Sequence, residues 1–92
     1  MSAQGRDSVA STDTETARRL VEVVGGAGNV VRVTHCYSRL RLVLRDDAGA
    51  DEAGLRALPG VVMVLRQGGQ VQVALSSGVA RMFAVVLEVL GT

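Results

Sequence analysis

Residues 39–45 read RLRLVLR, with leucine at every second position, 40, 42 and 44. A period of two belongs to a strand, so the three leucines share one face while Arg39, Arg41, Val43 and Arg45 share the other. A helix would scatter the same leucines around its axis. This stretch therefore demands a sheet that is covered by an apolar layer on one side and open to charged side chains on the other.

Its neighbours supply the rest of that sheet. Residues 29–35 carry β-branched Val30, Val31 and Val33, and almost nothing separates them from the strand at 38–45, so the two form an antiparallel hairpin with Cys36 and Tyr37 at its tip. Residues 61–66 and 71–75 read as a second hairpin, turned at Gly68 and Gly69. Gln70 and Gln72 are read as exposed strand residues.

The covering layer comes from three stretches of helical period. Ala17, Leu20, Val21 and Val24 fall on one face of a first helix, which Thr12 and Glu15 can open as a capping box and Gly25 and Gly26 stop. Asp51 caps a short helix carrying Leu55 and Leu58, ended at Pro59 and Gly60. Ser76, Ser77 and Gly78 lead into a last helix with Val79, Met82, Phe83, Val86 and Leu90 on its core side. The stripe through Met82, Phe83 and Val86 is core, with no cofactor pocket in it. The predicted fold is α+β, in the order α-β-β-α-β-β-α: a four-stranded antiparallel sheet of two hairpins with three helices on one face.

Ninety-two residues hold one domain. Residues 1–13, rich in Ser, Thr and Asp, read as a disordered tail, leaving 14–92 as the domain. A hydrophobic content of 48% supports a packed core, and with Tyr37 and Phe83 as its aromatics the core is aliphatic. That scarcity removes the base-stacking platforms of single-strand binders, and a net charge of +1 gives no footprint for a phosphate backbone, so no nucleic acid is expected. A single cysteine suits a reducing compartment, and the polar N-terminus lacks the apolar core of a signal peptide. Arg81 and Glu88 interrupt the one long apolar helix, so no membrane span is expected. The chain reads as cytoplasmic, able to work at the inner face of a membrane.

The chemistry concentrates at 33–46, VTHCYSRLRLVLRD, where the only histidine, His35, adjoins the only cysteine, Cys36. Polar Thr34, His35 and Ser38 surround the thiol, which argues against a buried structural cysteine. Arg39 and Arg41, two apart on a strand, present two guanidinium forks in one direction, and such forks match phosphate oxygens bidentately. Their field, with any charge on His35, favours the thiolate. Free backbone N–H groups at a hairpin tip form an anion cradle, and Ser38 adds a hydroxyl. Together these describe a site for a phosphoryl group held on sulfur.

Other thiol chemistries fit less well. The arginines stand three and five positions after Cys36, off the spacing of a tyrosine-phosphatase loop. A redox switch lacks a resolving cysteine. Cys36 and His35 alone are too few ligands for a metal, so no metal or other cofactor is expected. His35 and Cys36, adjacent on an extended strand, point to opposite faces, which places the imidazole badly as the base of a Cys–His hydrolase.

The segments NVVRVTHCYSRLRLVLRD and ALPGVVMVLRQGGQVQVAL resemble the enzyme IIB domain of the bacterial phosphoenolpyruvate-dependent sugar phosphotransferase system, of the glucose/β-glucoside type, over residues 14–92. The resemblance implies a phosphoryl carrier. Cys36 would accept phosphate from a phosphohistidine on enzyme IIA and donate it to a sugar bound by the membrane permease, enzyme IIC. Arg39 and Arg41 would match the family arginines that pass phosphate on, with Ser38 in place of a threonine and His35 in a minor role. Residues 75–78, LSSG, depart from the family's Ile-Gly after the last strand. A regulatory or interaction module of the same fold, signalling through its phosphorylation state, is the alternative.

Overall fold

In the computed structural model, which describes the backbone of residues 2–91 and the side chains of residues 12–91, the leucine alternation is realised as strand β2, Arg39–Leu44. Leu40 and Leu42 are fully buried and Leu44 nearly so. Each such leucine contributes on the order of 2 kcal/mol of burial. β2 pairs antiparallel with β1, Val30–His35, placing Val33 opposite Leu42 on the covered face and Thr34 opposite Arg41 on the other.

The second hairpin is β3, Val61–Gln67, and β4, Gln70–Leu75, joined by Gly68 and Gly69, both at positive φ. A two-residue turn with both residues in that region matches strand twist, and glycine enters it without penalty. Each hairpin has one bulge, at Val31 in β1 and Val62 in β3, and both of these valines are exposed.

The sheet order is β1-β2-β4-β3, so the hairpins join through β2 and β4, with Arg39 opposite Ala74 and Arg41 opposite Gln72. This central pairing is antiparallel, so β4 ends where β2 begins. The Leu75 N–H donates to the Ser38 carbonyl at 3.0 Å across that junction. The loop after β4 is thereby fixed beside the tip of the first hairpin.

Helices α1, Ser2–Val23, α2, Glu52–Arg56, and α3, Val79–Leu90, pack on one face of the sheet. Ala17, Leu20, Val21 and Val24 of the α1 region, Leu55, and Val79 and Val86 of α3 close over Val33, Leu40, Leu42, Val71 and Val73. Asp51 caps α2 as expected, accepting from the Gly54 N–H at 3.1 Å. The opposite face bears Arg39, Arg41, Gln72, Met63 and Leu65 and no helix.

Two expectations are corrected. Of the tail expected over 1–13, Met1 lies outside the described residues, and from Ser2 onward the backbone is part of α1. The helix does not open at Thr12, because no proline interrupts the polar stretch and only Gly5 weakens it. Gln72 is 8% exposed and so is a buried polar residue, because Arg39 and Arg41 of β2 and Leu65 of β3 close around it.

Candidate functional site

Cys36 occupies the tip between β1 and β2. Its backbone N–H donates to the Arg39 carbonyl at 2.9 Å, which leaves residues 37 and 38 to make the turn. Tyr37 is 97% exposed and Ser38 is exposed, while the thiol is half-buried. No residue of this tip has a positive φ, so a turn of ordinary residues holds it without glycine.

A pocket of about 600 Å³ opens beside the sulfur, walled by residues 35–38 on one side and residues 75–80 on the other. The far wall is the loop after β4 with the first residues of α3, a helix of 12 residues whose N-cap is Gly78 at φ 71°. The wall therefore brings unpaired helix N–H groups and the hydroxyls of Ser76 and Ser77 to the sulfur's side of the sheet. Among the described residues no carboxylate lines it.

The Cys36 thiol is held below the ordinary cysteine value. The Ser38 backbone N–H is the largest cause, followed by the Arg39 backbone N–H and by the Arg41 guanidinium, which hydrogen-bonds the sulfur and adds its charge; partial desolvation opposes them. The two arginines thus part company. The Arg41 side chain acts on the thiol, and its enclosed Nε finds no hydrogen-bond partner among the described residues. The Arg39 guanidinium instead takes a partner along the helix-free face that both arginines share, where Nη1 donates to Gln72 Oε1 at 3.1 Å.

His35 behaves as the strand alternation requires. It pairs with Leu40 on the covered side, and its ring lies 4.6 Å from the Phe83 ring of α3. Nδ1 is 3.0 Å from the Cys36 carbonyl oxygen, which accepts when that nitrogen carries the proton. The imidazole braces the tip against α3 and is not among the groups acting on the thiol.

The structure thus brings together Cys36, Ser38 and Arg41 as the sequence suggested. It moves the Arg39 side chain aside and adds two participants that local sequence signals do not place at the site. One is the wall at Ser76, Ser77 and Gly78, whose signal was the antiparallel register that sets the end of β4 against Ser38. The other is Gln72, whose signal was its place on the same sheet face as Arg39 and Arg41. Among the described residues no cluster of His, Cys, Asp and Glu is arranged to hold a metal, and no helix is long and apolar enough to cross a membrane.

Residues 18–51, which include Cys36, Arg39 and Arg41, match the pattern of the family described as phosphotransferase system, EIIB. Among curated relatives, the arbutin-, cellobiose-, and salicin-specific EIIBC component of Escherichia coli is 40% identical over 80% of this chain. The chain belongs to the EIIB family. The sucrose-specific EIIBC component of Bacillus subtilis is 41% identical over 70% of the chain. Each match covers only a small share of the relative, 15% and 14% respectively. A domain of the PTS system IIabc component from Clostridium difficile superposes with a TM-score of 0.77 at 26% identity, covering 89% of this chain and 85% of that one. The similarity in fold therefore extends well past the segment that the family pattern matches.

Proposed function

We propose that this EIIB chain is a phosphoryl carrier for sugar uptake, with Cys36 as the group that is phosphorylated. The reading rests on one observation: the half-exposed sulfur, held towards its thiolate by the Ser38 N–H and Arg41, faces an open pocket that no carboxylate of the described residues lines. A thiolate in such a pocket is ready for a dianionic guest.

In the first step the Cys36 sulfur attacks phosphorus on the phosphohistidine of an enzyme IIA protein. The S–P bond forms, the P–N bond breaks, and the bonding pair returns to the imidazole. In the second step a hydroxyl oxygen of a sugar held by enzyme IIC attacks the same phosphorus. The O–P bond forms, the S–P bond breaks, the thiolate leaves and the hydroxyl proton passes to a base of the permease. The chain supplies positioning and charge: Ser38, its backbone N–H and the α3 wall receive phosphate oxygens, and Arg39 and Arg41 offset the charge as it moves. Because the carrier must also let go, hydrogen-bond donors around an exposed sulfur serve better than a closed pocket.

The test separates the two half-reactions. Phosphorylated IIA and membranes carrying IIC are combined with the wild-type chain and with Arg39→Lys and Arg41→Lys. Each variant is expected to take up phosphate but to deliver it to sugar at least tenfold more slowly, since an ammonium lacks the fork that matches phosphate. Undiminished delivery by both variants would remove the arginines from the mechanism.

A further inference from the structure

The two arginines are chemically alike and only two residues apart, yet they have different partners. Arg41 is the arginine whose side chain lowers the Cys36 thiol value. The Arg39 guanidinium is on Gln72, whose Nε2 in turn donates to Gln70 Oε1 at 2.9 Å. That second bond fixes the direction of the first. With its nitrogen engaged by Gln70, the Gln72 amide can offer only its oxygen to a guanidinium, which has donors and no acceptor. Gln72 lies between Arg41 and Leu65 in register and is 8% exposed, so the amide has little freedom to turn elsewhere.

We propose that Gln72 is a positioning residue that holds the Arg39 guanidinium back from the resting sulfur. The inference rests on Cys36 being the reacting group. Arg39 is placed to move: its carbonyl accepts from the Cys36 N–H across the tip, so a released side chain is within reach of the sulfur. A neutral amide suits a releasable hold. A carboxylate at position 72 would form an ion pair and retain the arginine, whereas an apolar residue would let both guanidinium groups settle on the thiolate. Held by the amide, Arg39 remains in reserve for the dianionic phosphoryl group, whose charge exceeds that of the bare sulfur.

The charged and titratable groups beside the sulfur among the described residues are His35, Tyr37, Arg39 and Arg41, and none but His35 changes charge near neutral pH by its chemistry, so a thiol assay reads this arrangement directly. Alkylation of Cys36 by iodoacetamide, a neutral reagent, is followed from pH 5 to 9 without any phosphodonor. Gln72→Met, close in volume, is expected to speed alkylation at neutral pH roughly two- to fivefold by freeing Arg39. The double variant Arg39→Met/Gln72→Met is expected to return to the wild-type rate. An unchanged rate in Gln72→Met, or a gain that survives in the double variant, would overturn the proposal. Arg39→Met and Arg41→Met give a second reading that leaves Gln72 in place. The first should change the rate by less than about twofold and the second should slow it severalfold; equal slowing by both would mean that Arg39 is not held away. Because phosphate transfer is absent from this assay, a failed carrier role and a failed Gln72 role give separate signatures.

Discussion

The hairpin tip at residues 36–38 and the one at Gly68 and Gly69 sit at opposite ends of the same sheet. Leu75 donates to Ser38 at one end, and Leu44 donates to Gly69 at the other. The far tip solves its geometry internally: both glycines adopt positive φ, and nothing lies within 4 Å of where either Cβ would be. The reactive tip has no glycine and is braced from outside, by β4 through the Leu75 N–H on the Ser38 carbonyl and by His35 against Phe83. A turn that secures itself through glycine has no side chains to spend on chemistry. A turn secured by its neighbours can carry a thiol, a hydroxyl and a phenol.

The largest effect should come from the sulfur itself. Cys36→Ser is nearly isosteric, so circular dichroism should be unchanged, while uptake of phosphate from a phosphorylated IIA donor is expected to disappear. Retained labelling would mean that the reactive tip is no different in kind from the glycine one.

At the far tip the signs reverse. Gly69→Ala meets no steric contact but forces an alanine to φ 79°, which should cost on the order of 1–2 kcal/mol in urea unfolding. Its iodoacetamide profile should match the wild type. A shifted thiol profile would show that the two ends are coupled.

Tyr37→Ala tests the outward reach of the reactive tip. At 97% exposure the ring has almost no packing to lose, so stability should stay within about 0.5 kcal/mol. Phosphate uptake should nevertheless need severalfold more donor, because an exposed aromatic beside the sulfur is placed to meet the incoming protein. Equal donor dependence would confine the site to the pocket.

The smallest effect concerns Ser38. Its backbone N–H, which survives substitution, is the main cause of the lowered thiol value, so Ser38→Ala should leave the alkylation midpoint in place. The sign for the wild type follows from the same cause. The folded thiol ionises at lower pH than the unfolded one, so folded protein should alkylate ahead of urea-unfolded protein between the two midpoints. The associated stability is present above the unfolded value and is lost as pH falls through the folded one. A midpoint that rises in Ser38→Ala would transfer the role to the hydroxyl.

The comparison also explains what the sequence could reveal. Leu40, Leu42 and Leu44 announced β2, Gly68 and Gly69 announced their turn, and Asp51 announced α2, because each signal is local: a period, a φ requirement, a cap. The three helices on one face followed from the need to cover the leucines. Within the site, Cys36, Ser38 and Arg41 were legible as neighbours along one hairpin. The β2–β4 pairing had no local signal, since it joins residues some 35 apart, Arg39 with Ala74. For that reason no local signal places the wall at Ser76, Ser77 and Gly78 beside the sulfur or reveals the burial of Gln72. The early start of α1 was missed for a different reason, as Ser, Thr and Asp are weak helix formers but do not break a helix.

The central claim is that phosphate resides on Cys36 sulfur. Its most direct test is fragment mass spectrometry of the chain after incubation with a phosphorylated IIA donor at neutral pH. A single phosphoryl group on Cys36, stable to acid and released by iodine, is the predicted result. A phosphoryl group on His35 or Ser38, or none on a folded chain, would contradict it.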